Sequence, residues 1–138
     1  MGFWLVKSEP DAFSWDQQVA NGVEPWTGVR SAQAANNLKA MRKGDLAFFY
    51  HSNIGKEIVG VVEVLREAYP DPTDETGRWV SVDMRTVGPV PKPVTLTAIK
   101  AAPELADLAL VRQSRLSVMP VSAAHWAILC RMGGWKGG

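Results

Sequence analysis

The run Phe48-Phe49-Tyr50-His51-Ser52-Asn53 carries three aromatic rings straight into an imidazole, a hydroxyl and a carboxamide. Upstream, Trp26 stands in a loop between Pro25 and Gly28, where a large ring is less easily explained by core packing. A site that accepts a single nucleobase needs flat or apolar faces to stack on it and a few fixed donors and acceptors for its edge. Both are present: Trp26, Phe49 and Tyr50 can stack, while Ser8, His51, Ser52 and Asn53 can hydrogen-bond. Arg30, Lys39, Arg42 and Lys43 crowd the same stretch and are the side chains that could meet phosphates.

Other chemistries find less support. No G-x-S-x-G elbow occurs, and the two histidines, His51 and His125, and the one cysteine, Cys130, show no metal-ligand spacing. Neither phosphate-binding glycine pattern is present, so no cofactor and no metal are expected. Two alternatives stay open. One is a small enzyme acting on a nucleotide or heteroaromatic compound with His51 as general base, although no carboxylate or nucleophile lies nearby in sequence to orient it. The other is a protein-interaction domain whose aromatic residues are only core, the reading that Trp4, Trp79 and Trp126 invite.

The chain has 138 residues, 46% of them hydrophobic, enough for one domain over 1–138 without disulfides or a structural metal. Fifteen basic against fourteen acidic residues leave a formal charge of +1, so nucleic-acid binding must be local or weak. The acidic residues Asp71, Asp74 and Glu75 gather in a Pro-rich turn that reads as a solvated face. A lone cysteine and the lack of a leader-like or membrane-spanning segment point to a soluble, cytoplasmic protein with no membrane partner, expected as a monomer.

The site residues hang on predicted elements. Phe3–Ser8 reads as a central strand, and Ser14 caps a short helix that stops at Asn21-Gly22. Ser31 caps a second helix in which Ala34, Leu38 and Met41 recur at i, i+4 and i+7, ending at Gly44. Two strands follow, over 45–52 and 57–69, with Gly60 marking a bulge or bend. A half-exposed strand over 78–90 comes next, with a helix opened by Pro103, an extended segment around Pro120 and a last helix from Ser122 to Gly133-Gly134. Without a βαβ rhythm, this order predicts an α+β fold: a small mixed β-barrel or curved sheet with flanking helices.

The segments at 3–11, 26–53, 58–71 and 115–126, with W-x-G-V-R, F-F-Y-H-S-N and R-L-S-V in that order, resemble the EVE-domain family over nearly the whole chain. The resemblance implies a PUA-like pseudobarrel similar to YTH and ASCH domains. It also implies a binding module, not an enzyme, that reads a flipped, modified base, modified cytosine in DNA first and modified RNA second. Carried over by position, the base pocket comprises Ser8, Trp26, Val29, Phe49, Tyr50, His51, Ser52, Asn53, Leu116 and Ser117. Lys7, Arg30, Lys39, Arg42, Lys43 and Arg115 are the backbone contacts. Ser31, Ala32 and Ala35 stand where the family pattern often has an asparagine, an aromatic and an arginine, which weakens the expected grip on the backbone.

Overall fold

Four of the helices begin at a hydroxyl that takes up a free backbone N–H. In the computed structural model, which describes residues 2–136, the Ser14 hydroxyl accepts from the Gln17 N–H at 3.2 Å. The Gln17 side chain accepts from the Ser14 N–H at 2.7 Å in return, a reciprocal cap. Ser31, Thr95 and Ser122 cap in the same sense through the N–H groups of Ala34, Ala98 and His125.

The elements run β1 (Phe3–Ser8), α1 (Trp15–Asn21), β2 (Val23–Pro25), α2 (Ala32–Ala40), β3 (Leu46–His51), β4 (Glu57–Pro70) and β5 (Val80–Thr95). Then come α3 (Leu96–Ala101), a 3-10 turn (Pro103–Leu105), α4 (Ala109–Arg112), β6 (Val118–Val121) and α5 (Ala123–Gly133). No helix among the described residues is long and apolar enough to cross a membrane.

The strands form one mixed sheet in the order β2-β5-β4-β3-β1-β6. β1 is parallel to β3 and antiparallel to β6, so Lys7 and Ser8 lie beside Tyr50 and His51 at one end of the sheet. Helix α2 packs against β6 at one edge and against β4 and β5 towards the other. In a flat sheet β6 and β5 would stand about 19 Å apart at ~4.8 Å per strand. A helix about 10 Å thick touches both only because the sheet curls around it. Ala34, Leu38 and Met41 supply that contact and are all fully buried.

Ala47, Phe48, Phe49 and Tyr50 are buried in succession, so both faces of β3 are covered. Phe48 stacks on Trp126 of α5 at 4.0 Å, while Phe49 meets Trp15 and Trp26 edge-on at 5.3 and 5.6 Å. Opposite them, Phe49 pairs with Gly60 and Tyr50 with Ile58, leaving Val59 as a one-residue bulge. Gly60 is required by contact: a Cβ there would lie 2.3 Å from the Trp15 ring. Because that ring is itself buried, Gly60→Ala is expected to lower stability by about 1–3 kcal/mol. A reduced urea midpoint at unchanged slope would register it.

Three expectations are corrected. Helix α2 ends at Ala40, not Gly44, because Met41 turns extended and the Asp45 carboxylate takes the Arg42 N–H at 3.0 Å. Pro103 opens a single 3-10 turn; the helix before it starts at Leu96, and Ala102 is extended (φ −92°, ψ 108°), as a residue before proline tends to be. The loop expected at 24–30 gives up its first two residues to the edge strand β2, too short and too exposed to carry an alternating signature.

Candidate nucleic-acid interface

The end of β1 and the loop after β2 enclose a cavity of about 340 Å³, with Ser8, Phe13, Trp26, Val29 and Ser117 in its wall. Trp26 leaves β2 by donating its N–H to the Val82 carbonyl at 2.7 Å. Its ring is held perpendicular to Phe13 and Phe49, at 84° and 87°. The loop then turns at Gly28, whose φ of +79° favours glycine.

What fixes this loop is Asp71, from the turn read as solvated. Its carboxylate is fully buried and accepts from the Gly28 N–H at 2.9 Å and from Arg30 Nη1 at 3.0 Å. It also accepts from the Thr73 N–H and hydroxyl, both at 2.7 Å. Burial alone would raise the Asp71 pKa, but the hydrogen bonds from Thr73, Gly28 and Arg30 outweigh it and hold the carboxyl well below the usual range. Asp74 organises the rest of the turn by accepting from Thr76 and from the Trp79 N–H, which brings its pKa down to about 2.

Several predicted residues meet at this cavity. Lys7, Ser8, Trp26, Val29, Arg30 and Ser117 all line it. Trp26 is only 8% exposed, so it is at once core and wall. The Ser8 hydroxyl donates to the Phe13 carbonyl, leaving it a lone pair and no proton for a ligand. Arg30 is engaged by Asp71 and Thr73, which makes it a clamp on the loop and not the free phosphate contact expected from sequence. Two basic side chains, Lys7 and Arg30, face two acidic ones, Glu9 and Glu24, so the cavity is close to neutral.

The other predicted residues are placed elsewhere. Phe49 is fully buried behind Trp26 and supports the wall without forming it. Tyr50, one step along β3, points to the opposite face, and with Ser52 and Asn53 it lines a separate cavity of about 410 Å³. Leu116 and Arg115 border a third hollow that reaches Ser31. Arg42 and Lys43 lie beside Asp45, which accepts from Gly2 and Trp4. They are therefore at the far end of the sheet from Ser8, and Lys39 sits in the last turn of α2, roughly 12 Å of helix beyond Ser31. Phe13 and Glu24 went unread, and Asp71 was read only as part of a solvated face; an aspartate two residues ahead of Thr73 was the available sign of an ordered turn.

His51 Nε2 accepts the Trp15 N–H at 3.0 Å, so the imidazole helps to seat α1. Burial lowers its pKa, with Glu57 and Asp16 partly opposing. Protonation would remove the accepting lone pair. The contribution of His51 to stability is thus complete above the ordinary histidine value of about 6.5 and is lost as pH falls through the lower folded value. Urea unfolding between pH 7 and 5 should show this decline, and His51→Gln should flatten it.

A model of the EVE domain matches residues 2–132. The chain belongs to the EVE-domain family. This EVE domain is 34% identical to thymocyte nuclear protein 1 of Gallus gallus over 153 aligned positions, covering 86% of the chain but only 63% of that longer relative. It is 57% identical to a Rhodopseudomonas palustris protein solved by NMR, with a TM-score of 0.94, covering 100% of this chain and 97% of that one. Human THYN1, solved in complex with DNA containing 5-methylcytosine, is 28% identical with a TM-score of 0.90 and 99% of both chains covered. A yeast YTH domain from Zygosaccharomyces rouxii, 16% identical with a TM-score of 0.61 over 95% of this chain and 85% of that one, shares the fold. The EVE domain thus has the PUA-like α+β architecture, a curled six-stranded mixed sheet with helices.

Proposed function

We propose that this EVE domain is a non-catalytic nucleic-acid-binding module that takes a flipped, modified base, modified cytosine in DNA, into the cavity beside Trp26. The observation that carries this reading is the cavity itself: aromatic walls from Trp26 and Phe13, a near-neutral charge balance, and polar groups at its rim. Such a site suits a heteroaromatic ring better than a phosphate. The human relative solved with DNA containing 5-methylcytosine supports the choice of ligand. His51 fits a structural role here, since a general base would have to release the Trp15 N–H first.

The test is a fluorescence titration against single- and double-stranded DNA and RNA carrying cytosine, 5-methylcytosine or 5-hydroxymethylcytosine, at low and moderate salt. Tighter binding to a modified DNA that survives added salt is the expected result. Preference for a modified RNA would keep the pocket and change the polymer. Equal affinity for modified and unmodified strands, abolished by salt, would leave only surface charge and overturn the reading.

A further inference from the structure

The second cavity differs from the first in the one property that matters for a backbone: charge. Lys7, Lys56 and Lys100 face it against Glu9 alone, three positive groups to one negative. The three ion pairs among the described residues are Arg30–Asp71, Arg85–Glu63 and Arg112–Asp107, so neither Lys56 nor Lys100 is neutralised by a partner.

The position is equally particular. Lys7 and Glu9 line both the first and the second cavity, so the two lie back to back across the end of β1. Lys7 is half-buried, and its Nζ donates to the Ser114 carbonyl at 2.8 Å and sits 6.0 Å from the Tyr50 ring. Burial lowers its pKa, and an incoming anion would restore what desolvation takes from the ammonium. Tyr50 lines the same cavity as a neutral phenol, its pKa moved further up by burial, and can donate a hydrogen bond to an oxyanion.

We propose that the cavity of Lys7, Tyr50, Lys56 and Lys100 is a phosphate subsite that holds the sugar–phosphate linkage adjoining the base in the Trp26 cavity. It rests on the base-binding reading above and adds a second anchor. The split explains why Tyr50, Ser52 and Asn53 lie apart from Trp26: the strand end serves the backbone, and the loop serves the base. Lys56 and Lys100 were not among the side chains that sequence marked for phosphate.

The test is a cycle between protein and ligand. Lys56→Gln/Lys100→Gln changes two exposed side chains and should leave the fold intact. It is titrated beside the parent protein against oligonucleotides in which the linkage 5′ or 3′ to a 5-methylcytosine is a neutral methylphosphonate. The parent should lose roughly threefold to tenfold in affinity when one of those linkages is neutral. The double variant, which keeps Lys7 and Tyr50, should bind the fully charged strand more weakly, lose clearly less than the parent to the methylphosphonate, and show a salt slope shallower by up to roughly 0.7 for a single strand.

If neither methylphosphonate weakens the parent, or if the double variant still feels it as the parent does, the subsite is overturned and base binding stands. If the parent does not bind the modified strand and Trp26 substitutions change nothing, the base-binding reading fails and the subsite goes with it.

Discussion

Asp71→Ala should lower the stability of the domain by about 3 kcal/mol and abolish recognition of a modified base even where the fold persists. The carboxylate is fully buried, and its loss removes the acceptor of the Gly28 and Thr73 N–H groups, hydrogen bonds to a charged group that contribute about 1.5–3 kcal/mol each before water at these exposed residues replaces part of them. Arg30 is 39% exposed and can turn to water, so the total stays well below the sum of the parts. The effect on binding follows from connectivity. Gly28 and Arg30 flank Val29, and Trp26 lies two residues before Gly28, so releasing the clamp frees the wall of the cavity. Asp71→Asn keeps the shape but turns amide hydrogens towards N–H donors, and it should recover only part of the loss. The pH dependence has a definite sign. Because the folded pKa is depressed, the stability that Asp71 contributes is complete above the unfolded carboxylate value of about 3.9 and is lost as pH falls below it. Urea midpoints should hold from about pH 6 to 4 and then fall towards about pH 2, steeply for the parent and less steeply for Asp71→Asn.

The same residue marks the boundary between what was legible in the sequence and what was not. Helix starts were legible because a cap is local: Ser14, Ser31 and Ser122 each meet an N–H three residues on. The buried stripe of α2 and the bulge at Gly60 were legible for the same reason. The Arg30–Asp71 pair spans 41 residues and depends on how β2, β4 and β5 are laid side by side, which no local pattern encodes. Its two halves therefore appeared as separate clusters, one basic and one acidic. The grouping of Phe49 with Tyr50 in one pocket failed for a reason the sequence did contain. Neighbours on a strand point to opposite faces, so a Phe49 that backs Trp26 sends Tyr50 to the other cavity.

Trp26 is where the core and the ligand make competing demands, and a pair of substitutions separates them. Trp26→Ala removes a ring that is 8% exposed and packed against Phe13 and Phe49, so about 3–5 kcal/mol of stability should go with it. A loss of binding in that variant alone would be ambiguous. Trp26→Phe keeps a flat ring in contact with the same neighbours and should cost about 1–2 kcal/mol, leaving a folded domain. Stacking contributes roughly 1–3 kcal/mol per base, a factor of about five to 150 in affinity, and a smaller ring retains part of it. The expected order is therefore parent, then Trp26→Phe, then Trp26→Ala for the modified strand. For unmodified strands at low salt, where surface charge governs, the two folded proteins should differ little. A folded Trp26→Ala protein that keeps the parent's preference for 5-methylcytosine, or a Trp26→Phe protein with undiminished affinity for the modified strand, would remove Trp26 from the site and leave it as core alone.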